Sequence, residues 1–262
     1  LLLAAVILLS KLFGFIFRMQ FMRLAGPEVV GIYMTTYPAF IFFISLAQIG
    51  LPLAVTKLVA GYYAAGQNIK VQHVLKKALQ INIVTLAILL PIFILIAPYI
   101  AEQLLQNKAA MYPLLVSLFA IPFVILSGLL KAYLQGIEKI HITAWTLFFE
   151  QVVRILCLSL LLPLILSDSP AIAAAQAMGI TVITELLAAL FVWPFYMKEK
   201  RKLMQNATRS TNSHKPLDAE IEANAHFTTS IVSTSQLFHI AIPTAGGKLF
   251  GTFTWFFEPI IF

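Results

Sequence analysis

The sequence predicts an all-α protein, a polytopic membrane bundle, on three observations. Hydrophobic residues fill 60% of the 262 positions and charged residues only 11%, a balance far from that of soluble domains. Mean hydropathy is +0.89. Apolar runs near the ~20 residues that a helix needs to cross a hydrocarbon core recur along the whole chain, so a signal peptide accounts for the first of them at most. The single cysteine, Cys157, lies inside such a run, which excludes an intramolecular disulfide framework.

The first segment, Ala4 to Leu24, is almost wholly apolar but holds Lys11 and Arg18. A step of seven residues returns a helix to nearly the same face, and Gly14 falls on that face too. A charge near a bilayer midplane costs roughly 2.5 to 3.5 kcal/mol on insertion scales, so such a stripe is expected to line a wet cavity or meet a partner. The stripe reads as part of a path for an anion. Arg23 lies nearer the end of this segment, where a long side chain reaches the headgroups by snorkelling.

The second segment runs from Val29 to Val55 and contains Gly50 and Pro52. Proline inside a helix removes a backbone hydrogen bond and tends to kink it. Prolines also stand at 38, 91, 98, 113, 122 and 243, and the pair Gly50 and Pro52 is the expected hinge. Lys57, near a helix end, is a second candidate for snorkelling. The third segment is Leu79 to Ala101 and the fourth Pro113 to Leu134, with Lys131 and Lys139 assigned to the turn after it.

The fifth segment, Ile142 to Leu166, places Glu150 and Arg154 four residues apart, on one helix face. Arg154 is therefore either half of a structural ion pair or an anion contact. The sixth, Ile172 to Met197, carries Glu185. Residues 198–236, rich in Ser, Thr, Asn and charge, read as a flexible linker. In the seventh, Leu237 to Phe262, Lys248-Leu249-Phe250-Gly251 repeats Lys11-Leu12-Phe13-Gly14. Six crossings return the chain to its starting side, so the seventh re-enters in the same sense as the first, as in a parallel repeat about the membrane normal. The expected organisation is a six-helix bundle over 1–197, the linker over 198–236, and the first helix of a second repeat over 237–262. On that pattern the sequence reads as a fragment of a longer protein.

Charge sets the expected orientation. The net charge is +7, but in a polytopic chain its distribution matters more than its sum, and nucleic acid is not an expected partner. Lys57, Lys70, Lys76, Lys77, Lys139 and the basic run after Met197 fall in alternate loops, while Glu28, Glu102 with Lys108, and Asp168 occupy the others. The positive-inside rule then puts the N-terminus in the cytoplasm, with the protein multi-pass in the cell membrane.

The residues resemble a known family. Ser10-Lys11-Leu12-Phe13-Gly14-Phe15 with Arg18 and Arg23 resembles the opening of bacterial lipid-linked oligosaccharide flippases of the multidrug/oligosaccharidyl-lipid/polysaccharide (MOP) superfamily. Ala25-Gly26-Pro27-Glu28, Gly31-Ile32-Tyr33, Tyr37-Pro38 and Gly50 through Ala60 look like the stage V sporulation protein B branch of polysaccharide transport proteins. The stretch from Ala241-Ile242-Pro243 to Glu258-Pro259-Ile260 is similar to that branch's seventh helix. In the lipid II flippase branch the first helix opens Ser-Arg-x-x-Gly-Phe and continues with Arg then Asp. Here Lys11 replaces the first Arg, Arg18 lies one place later, and Met19 stands where the Asp would follow.

The resemblance implies transport of undecaprenyl-diphosphate-linked glycan, a cell-wall or polysaccharide precursor, from the inner to the outer leaflet. Membrane lipid and enzymes of envelope synthesis are the other expected partners. Substrate contacts are expected from Lys11, Arg18, Arg154 and Lys248, with Arg23 and Lys57 nearer the surfaces. Arg suits phosphate because its planar fork donates two parallel hydrogen bonds, whereas Lys acts as a point charge. Glu150, Glu185 and Glu258 are candidates for charge balance or for a coupling proton or sodium. A negative cytoplasm favours outward movement of an anion by roughly 2.3 kcal/mol per charge per 100 mV.

Three other readings stand beside this one. A membrane-embedded polyprenyl or glycosyl transferase needs clustered carboxylates for Mg²⁺, yet the only aspartates, Asp168 and Asp218, fall in different loops and the histidines lack metal-ligand spacing. The expectation is therefore no enzyme, no metal and no cofactor. A cation-coupled multidrug exporter of the same superfamily would favour acids in its cavity. A non-transporting scaffold for envelope synthesis would leave the stripe on the first helix idle.

Overall fold

Gly26 decides how the chain begins. The computed structural model describes residues 2–213 and 234–261, apart from the side chains of 2–7, 10, 11, 206–213, 234, 236 and 255–261. Helix α1 (Leu2–Gln48) is interrupted at Gly26, with φ 81° and ψ 168°, followed by Pro27. A straight helix would hold Arg18 and Met34 about 24 Å apart at 1.5 Å per residue. They touch at 3.3 Å, and Phe21 meets Tyr33 edge-on at 5.1 Å. The two limbs, 2–25 and 27–48, therefore fold back on each other as a hairpin, which provides the first two expected segments.

The second segment ends earlier than expected. Ile49 and Gly50 both take left-handed conformations, with φ 45° and 66°, and α2 (Leu51–Ala64) begins after them. Pro52 sits in the first turn of α2, where its missing N–H costs no hydrogen bond. The break is thus made by Ile49 and Gly50, and Pro52 starts a helix instead of kinking one. After a tight turn at Gly66, α3 (Asn68–Tyr99) starts well before Leu79, so Lys57, Lys70, Lys76 and Lys77 stand on helices and not in an open loop. A π-turn (Ile100–Leu104) and a short 3₁₀ turn (Lys108–Ala110) follow.

The fourth expected segment is two helices, α4 (Met111–Leu118) and α5 (Ile121–Gly136), bent by 46°. Helices α6 (Ile140–Ile165) and α7 (Pro170–Ser213) match the fifth and sixth, but α7 runs on past Met197. Residues 198–213 of the expected linker are therefore helical, while 214–233 lie outside the described residues. Helix α8 (Thr234–Ile261) packs against α1 and α2.

Among the described residues, four helices are long and apolar enough to cross a membrane, or five with the bent α4–α5 pair as one span. The first of them is the α1 hairpin. Lipid-facing surfaces stay apolar, with Ile83, Leu95, Leu160 and Leu164 all exposed. Packing between helices relies on small residues: Ala173, Ala174 and Ala188 of α7 are fully buried, which brings backbones close without a hydrophobic drive between helices. At Gly136 a Cβ would lie 2.6 Å from Val59 Cγ1 and 3.0 Å from Thr56 O, so α2 and α5 meet there only because no side chain intervenes.

Candidate functional site

A cluster of charged side chains set within the bundle joins α5, α6 and α7. Glu150 and Arg154 share one face of α6 because they are one turn apart, and Arg154 Nη2 donates to Glu150 Oε1 at 3.3 Å. The same nitrogen donates to Glu185 Oε1 of α7 at 2.8 Å. Lys131 Nζ of α5 donates to Glu150 Oε2 at 3.1 Å. These four side chains are only 8% to 17% exposed. Two cations face two carboxylates, so the cluster is formally neutral. Arg154 lies about 21 Å along α6 from its start, within a membrane-crossing length.

Next to this cluster the second limb of α1 is tied to α7. Tyr33, 2% exposed, bonds through its hydroxyl to Thr181 Oγ1 at 3.2 Å. The first limb is tied to α6, where Gln20 Nε2 donates to Ser159 Oγ at 2.6 Å and Phe13 meets Phe148 edge-on.

The cations named from the sequence do not gather at one point. Arg18 is exposed, and its Nη2 reaches Met34 Sδ, a weak acceptor that leaves most of the guanidinium's donors unspent. Gly14, on the same face, has no atom within 4 Å of where a Cβ would stand. Arg23 and Lys57 are exposed. The side chains of Lys11 and Glu258 lie outside the described residues.

Lys248 of α8 instead finds Gln48, donating from Nζ to Oε1 at 2.9 Å. This contact sits beside the α1–α2 break. A Cβ on Gly50 would stand 2.5 Å from Ala241 O, 2.6 Å from Thr244 Oγ1 and 2.8 Å from Ala245 N. Helix α8 therefore rests on bare backbone at Gly50, and the Lys248 ammonium is fixed within one or two turns of that point.

Lys131 and Gln48 escape a reading of the sequence. Lys131 counts there as a turn cation, yet it lies inside α5 and turns toward α6. Its position within an apolar run was the available signal. No signal marks Gln48, because its partner is 200 residues away. Among the described residues no group of three or more His, Cys, Asp or Glu side chains is placed to hold a metal ion.

Comparison with known proteins follows the same lines. The family model for polysaccharide biosynthesis proteins matches residues 1–262. Stage V sporulation protein B of Bacillus subtilis (strain 168) is 32% identical over 265 residues, spanning 100% of this chain and 48% of that protein. Lipid II flippase MurJ of the same organism is 24% identical over 207 residues, 75% of this chain and 38% of its own length. The chain thus spans about half the length, or less, of these curated relatives. Among solved structures, an outward-facing multidrug resistance MATE family transporter of the MOP superfamily covers 97% of this chain with 52% of its own, at TM-score 0.65 and 15% identity, a likeness of fold. With a family match along its entire length and a relative 32% identical over the whole of it, the chain belongs to the polysaccharide biosynthesis protein family.

Proposed function

We propose that the protein is a flippase that moves an undecaprenyl-diphosphate-linked glycan from the inner to the outer leaflet of the bacterial cell membrane, with its N-terminus in the cytoplasm. The observation that carries this reading is the contrast between two arginines. Arg154 is neutralised by Glu150 and Glu185, whereas Arg18 stands on an apolar face with a sulfur atom as its contact. An unspent guanidinium at membrane depth is expensive unless it solvates a passing anion. A lipid diphosphate supplies that anion while its tail stays in lipid.

In this mechanism Arg18 offers a bidentate fork to the diphosphate, and Lys11 adds a point charge on the same helix face. Lys248, held by Gln48, extends the cationic lining to α8. Arg23 and Lys57 gather the headgroup near the surfaces. The α1–α2 break at Gly50, with Pro52 fixing the first turn of α2, is the hinge about which α8 shifts. The cluster of Lys131, Glu150, Arg154 and Glu185 balances charge and holds α5, α6 and α7 together.

Leaflet exchange of labelled lipid diphosphates in vesicles containing the full protein tests the proposal. A charge-assisted hydrogen bond is worth ~1.5–3 kcal/mol, so Arg18→Ala is expected to slow exchange by about 10- to 100-fold. Unchanged exchange at normal expression would remove Arg18 from the path. A second reading, a cation-coupled multidrug exporter, is favoured by the buried Glu150 and Glu185. Arg18-independent exchange of organic cations would select it.

A further inference from the structure

The basic end of the bundle holds a cavity that the transport path does not use. It measures about 480 Å³ and lies between the start of α6 and the cytoplasmic-type basic end of α7. Trp145, Phe191 and Phe195 form its apolar part, and Lys139, His141, Lys198 and Lys202 its polar part. Lys202 Nζ is engaged by Glu199 Oε1 at 2.8 Å, which cancels that charge. Lys139 and Lys198 have no ion-pair partner among the described residues, so the cavity keeps a net positive charge.

The layering of these groups has a direction. Along α6, Trp145 lies about 9 Å deeper than Lys139, and along α7, Phe195 lies about 10 Å deeper than Lys202. Cations therefore meet water while aromatic rings sit at the depth where acyl chains begin, the usual station of interfacial Trp. Phe149 stacks at 4.0 Å on Phe191, one of the rings lining the cavity. Helix α6 starts at the cavity, adding the positive end of its dipole. A soluble anion would use the rim alone, and a neutral lipid would leave the cations unanswered.

We infer that this cavity binds the phosphate headgroup of a resident anionic phospholipid, with Lys139 and Lys198 on the phosphate and Trp145 against the upper acyl chain. The site is built by α6, α7 and the turn before α6, shares no residue with the proposed path, and does not depend on the flippase reading. Basic pockets between membrane helices on the cytoplasmic side select acidic headgroups by the same chemistry.

Tryptophan quenching by brominated lipid tests it in the full protein carrying Trp193→Phe and Trp255→Phe, with any tryptophan outside residues 1–262 also replaced by Phe, so that Trp145 reports. In phosphatidylcholine nanodiscs, brominated phosphatidylglycerol is expected to reach half-quenching at a far lower mole fraction than brominated phosphatidylcholine. Two basic residues near the surface at about fivefold each give a roughly 25-fold preference. Lys139→Gln with Lys198→Gln is expected to abolish the preference while helix content and Trp145 emission without bromine stay unchanged. Inorganic phosphate at equal concentration is expected not to displace the lipid. Equal quenching by the two lipids, a preference that survives the double substitution, or displacement by inorganic phosphate overturns the inference.

Discussion

Gly50→Ala is the sharpest test of how α8 is seated. The added methyl would lie 2.5 Å from Ala241 O and 2.8 Å from Ala245 N, both backbone atoms of α8, and 2.6 Å from Thr244 Oγ1. The threonine can rotate, but the two backbone atoms cannot. Helix α8 must therefore withdraw by several tenths of an ångström or more, and the 2.9 Å bond from Lys248 to Gln48 opens with it. A left-handed alanine adds roughly 1–2 kcal/mol and overpacking a further ~1–3 kcal/mol, for a total of about 2–5 kcal/mol. The control lies on the same helix: Gly246 and Gly247 have nothing within 4 Å of a Cβ and no unusual φ. Alanine there is expected to stabilise α8 by up to ~1 kcal/mol through helix propensity.

Thermal denaturation in detergent gives the stability difference. Cross-linking of Gln48→Cys to Lys248→Cys by a short bifunctional thiol reagent, in a Cys157→Ser background, gives the position of α8, because the native contact joins the tips of two long side chains. Gly50→Ala is expected to lower the midpoint and reduce cross-linking, and Gly246→Ala to do neither. If Gly50→Ala cross-links as efficiently as the parent and melts at the same temperature, α8 does not rest on Gly50 and its proposed role as hinge is lost.

Three further expectations follow from named contacts. Glu150→Met leaves Lys131 without a carboxylate and Arg154 with one, a loss of about 3–5 kcal/mol for a broken buried pair; Lys131→Met combined with it restores neutrality around the 2.8 Å Arg154–Glu185 pair and should recover part of that stability, whereas a double variant that melts no higher than Glu150→Met refutes the neutral-cluster account. Tyr33→Phe removes the hydroxyl bonded to Thr181 and is expected to cost ~0.5–1.5 kcal/mol in denaturation measurements. Arg18→Ala, on an exposed face, should leave the midpoint within about 0.5 kcal/mol of the parent while slowing leaflet exchange; a large loss of stability would mark Arg18 as a structural residue.

Much of the fold was legible because its causes are local. Apolar runs and the break between the first two segments, made at Gly26-Pro27, act within a few residues, through backbone geometry and transfer from water to lipid. The helices over 51–64 and 68–78 were not legible, because their basic residues have the composition of a loop. The left-handed break at Ile49 and Gly50 was half legible: Gly50 announced it, but Pro52 suggested a kink where a helix start was built. The extension of α7 to Ser213 was hidden because a polar helix beyond the membrane has the composition of a linker.

The sequence by itself determined that the chain is a helical membrane bundle and where most of its apolar helices lie, since both depend on residue type and spacing along the chain. Only the tertiary structure decided which charges are spent. The spacing of Glu150 and Arg154 offered their pairing, but Glu185 and Lys131 joined them, and Gln48 met Lys248, through the rotation of each helix about its own axis. That rotation is set by how neighbouring surfaces pack, and no run of residues within a single helix encodes it.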